Sequence, residues 1–342
     1  EAAECWGYAE ERYDALLEAH EPGLTTRTVA ALLDSWAASL RDVLRRARAR
    51  PSVEGIHADY PVEQQRAFNE AVARAAGFDF EAGRIDTAPH PFCSRIHPGD
   101  VRLTTRYDTR DFTSSLYGVL HEAGHGLYEQ GLPAESFGQP AGEVLSLALH
   151  ESQSRLWENH VGRSREFWTH WYPVACGVFP ALRAFPMERV LAHVTRVAPG
   201  LIRVEADEVT YDLHIVLRFR LERALVSGEL PVRDLPGAWN EAMRELLGLE
   251  VPDDAHGCLQ DIHWSMGAFG YFPTYTLGNL NAAQLMAAAR REMPGLDAAL
   301  AAGRTGRLLG WLRERVHGWG GRLGAAEILR RATGSETGPE AC

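Results

Sequence analysis

Within residues 117–131, YGVLHEAGHGLYEQG, two histidines stand four residues apart and a glutamate follows the first: His121, Glu122 and His125. On an α-helix positions i and i+4 share a face, so both imidazoles can present a ring nitrogen to one point. Glu122 sits one step round the helix, within reach of a water held at that point. Two histidine ligands with an adjoining carboxylate base form the donor set of zinc-dependent hydrolysis. Such a site needs a third protein ligand and one open position. The extension that brings a third histidine requires glycine at 128 and histidine at 131, where this chain has Tyr128 and Gly131. A later element must then supply the ligand. In GEVLSLALHESQSRLWENH (142–160), Glu151 lies far enough from His121 for one helix to end, turn and run back beside the first. Leu145, Leu149 and Leu156 would be the buried stripe of that second helix. Glu151 is favoured because a carboxylate offsets the metal charge. His150 is its rival, about 100° round the helix. Glu143 and Glu158 are weaker rivals, read otherwise as surface charges or as partners of the ligands.

The elements that must position these residues are mostly helical. Helical spacing of apolar residues predicts helices over 1–20, 28–49 and 61–76, and again over 113–129, 141–160, 164–174, 187–197, 200–227, 236–246, 281–292, 295–301 and 305–332. The exception is 84–112, where proline, glycine and β-branched residues replace helix formers. There DVRLTTRY alternates polar with apolar, which predicts a strand and a small hairpin sheet.

Composition narrows the chemistry. The 342 residues carry a formal charge of −11, which argues against nucleic acid as a partner. All 35 basic residues are arginine, so Schiff-base catalysis and a lysine-dependent phosphate loop are excluded. Five scattered cysteines without a C-x-x-C pair form neither a disulfide framework nor a cysteine metal site. No apolar run approaches the roughly 18 residues of a membrane span, and the N-terminus lacks a signal sequence. The expectation is a cytoplasmic protein with no membrane and no nucleic-acid partner.

The blocks HPF (90–92), DVRLT (100–104), HEAGH (121–125), HESQ (150–153), IRVEAD (202–207) and GCLQDIHW (257–264) stand in an order that resembles the M32 family of metallocarboxypeptidases, the thermostable carboxypeptidase Taq type. The resemblance covers nearly the whole chain. It implies a mainly α fold, a helical shell with a deep cleft similar to the neurolysin and angiotensin-converting-enzyme group, with a small β-sheet beside the active-site helix. It implies one catalytic domain over 1–342, the C-terminal part of a longer family architecture that has a further N-terminal segment.

Carried over residue by residue, His121, His125 and Glu151 are the ligands of zinc, with cobalt as an alternative ion, and Glu122 is the catalytic base. Arg203 is the anchor for a free C-terminal carboxylate, its fork pairing both oxygens, and Asp207 orients it on the predicted 200–227 helix. Arg102, on an edge strand beside the metal, is a second substrate contact. His263 and Tyr275, twelve residues apart, match a histidine and a tyrosine that stabilise the oxyanion in the related group, with Tyr271 as a rival donor. The implied activity is release of single C-terminal residues from peptides with a free C-terminus, by a homodimer. The alternatives are another cleft peptidase of the same metal class (an oligopeptidase or a peptidyl-dipeptidase) and an inactive zinc-binding helical fragment.

Overall fold

The computed structural model describes all 342 residues. In chain order the helices begin with α1 (Ala2–Trp6), α2 (Arg12–Glu18), α3 (Thr26–Arg48) and α4 (Val62–Ala76). Three strands follow, β1 (Gly83–Thr87), β2 (Cys93–His97) and β3 (Asp100–Thr105). Then come α5 (Phe112–Glu129), α6 (Leu147–Arg155), α7 (Arg165–Val178), α8 (Met187–Val194), α9 (Glu208–Ser227) and α10 (Leu235–Leu247). The chain finishes with α11 (Pro273–Glu292), α12 (Leu296–Ala301), α13 (Gly306–Arg315) and α14 (Ala325–Thr333). The fold is mainly α with one small sheet, as the sequence pattern predicts. No helix is long and apolar enough to cross a membrane.

The chain divides into two compact units. The first comprises Glu1–Ser52, Ser146–Ala148 and Arg196–Leu277; the second comprises Val53–Leu145, Leu149–Thr195 and Gly278–Cys342.

In the first unit, Thr25 caps α3 by accepting the Thr28 amide. Val29, Leu33, Ala37, Leu40 and Leu44 then recur every three or four residues and form one buried stripe. That stripe packs with Leu213, Val216 and Leu217 of α9 and with Trp239, Met243 and Leu246 of α10. The α9 helix begins later than its sequence suggests. Asp207 accepts the amides of Val209 and Thr210 and so ends the extended chain before Glu208. Arg203 therefore lies outside α9, on a 3-10 turn of Arg203–Glu205. Asp212 is buried and accepts Trp36 Nε1 at 2.8 Å and Thr276 Oγ1 at 2.9 Å.

In the second unit the strand order is β1-β3-β2, with β1 parallel and β2 antiparallel to β3. The alternation in DVRLT appears as expected: Val101 and Leu103 are fully buried, each contributing about 1.5–3 kcal/mol by leaving water. The edge-strand expectation is corrected. β3 is central, so both of its backbone edges are already hydrogen bonded and cannot take an added peptide strand. Helix α5 packs on β3 and on α4, with Leu116, Leu120, Ala123 and Leu127 in the same apolar core as Phe68, Val72 and Leu103. Fourteen of its residues are buried, which makes α5 the rigid axis of this unit.

Helix α6 also departs from expectation. Pro140 and Gly142 break the chain into a 3-10 turn, so the helix starts at Leu147 and leaves Leu145 exposed. Leu149 and Leu156 are buried as read from the pattern. From Leu156 to Gly162 the helix continues as a π turn, a local widening that recurs at functional sites.

Candidate metal centre and active-site residues

His121 and His125 project from one face of α5, ring centroids 4.9 Å apart. Glu151 projects from α6, and its Oε2 lies 3.7 Å from His121 Nε2 and 3.5 Å from His125 Nε2. One ligand atom from each of the three lies within 4.8 Å of the others. A tetrahedral ion with bonds of about 2.0–2.1 Å places its ligand atoms roughly 3.3 Å apart, so the donors present fit a divalent cation.

The two helices come this close because residue 124 has no side chain. A Cβ there would lie 2.5 Å from Gln153 O and from Ser154 Cα, both backbone atoms of α6 that cannot swing away. Gly124→Ala is expected to lower stability by about 1–3 kcal/mol and to weaken metal uptake together. Thermal unfolding with and without added zinc checks both effects.

The surroundings hold each donor in a usable state. Arg155 Nε binds Glu151 Oε1 at 2.8 Å, which leaves Oε2 turned toward the histidines. Burial works against the Glu151 charge, but His121 and then Arg155 overcome it and hold the carboxyl well below its ordinary range. His121 Nδ1 donates to Glu158 Oε2 at 2.9 Å, which directs Nε2 toward Glu151. Burial lowers the His121 pKa, but the Glu151 charge and the Glu158 bond raise it on balance, so ion binding at Nε2 would release a proton. Glu158 is buried and fixed in turn by Arg155 at 3.0 Å and Arg163 at 3.0 Å. It lies seven residues after Glu151, two turns on along the same face. Glu158 is thus placed to orient His121 rather than to compete with Glu151 for an ion. His150, the other rival, turns to Glu129 Oε1 at 2.9 Å.

Glu122 is buried beside this group. Burial is the main cause that pushes its pKa up to about 7; the Glu151 charge adds to the rise and His121 opposes it. A carboxyl that titrates near neutrality is suited to take and return a proton. Burial, with His150 second, lowers His125 to about 3, so that imidazole is neutral, as a ligand must be.

The remaining predicted residues belong to the first unit, apart from Arg102. His263 Nε2 and Tyr275 Oη stand 3.1 Å apart, so the structure brings this pair together. Arg203 is buried, its guanidinium donating Nε and Nη2 to Asp261 Oδ1 at 3.0 and 2.7 Å and Nη1 to Tyr211 Oη at 2.9 Å. Asp207 does not orient it. Its carboxylate is used up as the cap of α9 and by the Ala198 amide, and Asp261 takes the place assigned to it. Arg102 pairs with its own strand neighbour Asp100, at 2.9 and 2.8 Å, on a partly exposed face of β3.

The family model described as carboxypeptidase Taq (M32) metallopeptidase matches residues 1–341. The chain belongs to the M32 family. The thermostable carboxypeptidase 1 of Thermus thermophilus is 48% identical over 327 residues, covering 95% of this chain and 64% of its own length. Carboxypeptidase 1 of Bacillus subtilis is 38% identical over 335 residues, 97% of this chain and 67% of its own. The crystal structure of the M32 carboxypeptidase from Deinococcus radiodurans R1 superposes with a TM-score of 0.97 at 41% identity, over 99% of this chain and 69% of that one. This M32 chain thus spans slightly less than two thirds of the Thermus protein.

The partner of Arg203 escapes a reading by spacing. Asp261 sits in the quoted block GCLQDIHW, but nothing local says that it meets Arg203, 58 positions away. It also binds the fully buried Arg218 through Oδ2 at 2.7 Å. Burial would raise the Asp261 pKa, yet Arg218 and then Arg203 pull it down to about 2. Its contribution to stability is therefore present above the ordinary aspartate pKa and lost as pH falls through about 2. Asp261→Ala, which strands two buried guanidinium groups, is expected to cost about 3–5 kcal/mol, read from denaturant melts at neutral pH.

Proposed function

We propose that this M32 chain is a metal-dependent carboxypeptidase that removes single residues from peptides with a free C-terminus, using Glu122 as general base. The observation that supports this most is the convergence of His121 Nε2, His125 Nε2 and Glu151 Oε2 on one point beside a buried glutamate whose pKa is about 7. Zinc, or cobalt in its place, would be held by those three side chains and supplies a Lewis acid and an acidified water.

The protein residues do the proton work. Glu158 keeps the His121 proton on Nδ1, so the ring meets the ion through Nε2. Arg155 holds Glu151 ionised. Glu122 removes a proton from the attacking water and returns it to the leaving amine nitrogen. From the resemblance, Tyr275 and His263 donate to the developing oxyanion, and Arg203, held by Asp261, pairs with the substrate carboxylate. Arg102 is carried as a weaker candidate for that contact, given its bond to Asp100. Zinc as the native ion, a homodimer and a single catalytic domain over 1–342 rest on the same resemblance and belong to this proposal, as does a cytoplasmic location, which rests on the sequence pattern alone.

The test uses the purified chain with zinc and an N-blocked dipeptide, followed by longer peptides with free or amidated C-termini. Release of one amino acid from the free forms and none from the amidated forms is expected. Release of dipeptides, or cleavage of amidated peptides, would instead indicate a peptidyl-dipeptidase or an oligopeptidase. Metal binding without any hydrolysis would mark an inactive zinc-binding fragment.

A further inference from the structure

The two histidines of the metal group are held in different ways. His121 has the usual arrangement, with Nδ1 hydrogen bonded to a buried carboxylate, which fixes both tautomer and ring direction. His125 has none. Its Nδ1 is buried and has no hydrogen-bonding partner. Rotation about the bond to the ring is therefore unrestrained by any polar contact at that atom, yet Nε2 must point at the ion to within a fraction of an ångström.

Another contact supplies the restraint. The His150 imidazole lies flat on the His125 ring, with centroids 4.2 Å apart and planes 11° from parallel. His150 is itself held. Its Nε2 donates to Glu129 Oε1 at 2.9 Å, and Glu129 Oε2 accepts Arg95 Nη1 at 3.3 Å. The Arg95 side chain is only 6% exposed; Nη1 also donates to Gly142 O at 3.0 Å and the guanidinium lies over the Phe137 ring. Tyr128 flanks His150 at 5.7 Å. Glu129 stands one helical turn after His125, so the anchor and the ligand share a face of α5, and the His150 ring is placed between them from α6.

We propose that His150 is a positioning residue whose ring, anchored through Glu129 and Arg95, fixes the plane of His125 by stacking and thereby aims Nε2 at the metal position. The inference rests on the metal-centre reading above. It gives His150 a function distinct from ligation, and it accounts for a buried imidazole nitrogen left without a partner. Two devices then orient the two ligands, a hydrogen bond for His121 and a stacked ring for His125.

The test separates the stack from the hydrogen bond. His150→Phe keeps a flat ring on His125 and loses the bond to Glu129. His150→Gln keeps a donor for Glu129 and loses the ring. The full chain is loaded with one equivalent of cobalt(II), its visible spectrum is recorded, and the rate of metal loss to a chelator is measured. Unfolding of the metal-free proteins shows that folded molecules are compared. Loss from His150→Gln is expected to be about 10–100-fold faster than from the native chain with a changed visible band, and loss from His150→Phe to stay within about threefold.

Equal rates and spectra for native and His150→Gln would overturn the inference. So would a His150→Phe variant that releases cobalt as fast as His150→Gln, because the hydrogen bond alone would then matter. If His150→Gln does not fold, His150→Leu removes the stacked ring with an apolar side chain of similar size; faster release supports the proposal and an unchanged rate refutes it. A native chain that takes up no cobalt would refute the metal centre itself, whereas native uptake that is indifferent to residue 150 refutes only this inference.

Discussion

Glu122→Gln is expected to abolish turnover while leaving the metal in place. Glutamine keeps the shape of the side chain but accepts no proton, so both transfers assigned to Glu122 fail, a loss of about 10²–10⁴-fold or more in kcat. The metal ligands are untouched, and metal content should equal that of the native chain. Stability should move the other way. Burial raises the Glu122 pKa to about 7 in the folded protein, so its charge costs stability as pH rises from the ordinary carboxyl range through about 7. Glutamine has no such cost. The metal-free variant should therefore be at least as stable as the native chain below pH 4 and more stable above pH 7. Kinetics on an N-blocked dipeptide, with melting curves at several pH values, check both halves. Substantial residual turnover would contradict the base assignment.

His125→Ala is expected to remove the metal rather than only the chemistry. Two protein ligands remain, Glu151 keeps Arg155 as its partner, and affinity should fall by roughly a thousandfold or more. The loss has a thermodynamic signature. A ligand that binds only the folded state stabilises it by about 4 kcal/mol at a thousand times its Kd, so added zinc should raise the native melting temperature. The same addition should leave His125→Ala unmoved. A zinc-induced shift of native size in the variant would show that the ion sits elsewhere.

What the sequence discloses about this site follows the range of the interactions involved. His121, Glu122 and His125 are legible because they lie on one helical turn, where spacing alone sets direction. Glu151 is legible because its distance along the chain suits an antiparallel return, and the neighbouring His150 is resolved only by geometry. Arg203 and Asp207 mislead for a physical reason. IRVEADE has helical spacing, but an aspartate followed by free amides is a stronger helix start than its neighbours are helix interior, so the helix opens after Asp207 and strands Arg203 on a turn. Arg203 then finds Asp261, a contact with no local signal. The alternation of DVRLT gives the faces of β3 correctly but cannot tell a central strand from an edge strand, since that depends on whether β1 returns to pair with it. Glu158, read from the sequence as a rival ligand or a partner of the ligands, is the hydrogen-bond partner of His121, and Glu129, one turn from His125, carries a spacing signal of its own.

The most direct test of the metal centre is the metal content of purified protein dialysed against limiting zinc, compared among the native chain, Glu122→Gln and His125→Ala. One ion per chain in the first two and none in the third is the expected result. A native chain without bound metal, or a His125→Ala variant that retains a full equivalent, would contradict it.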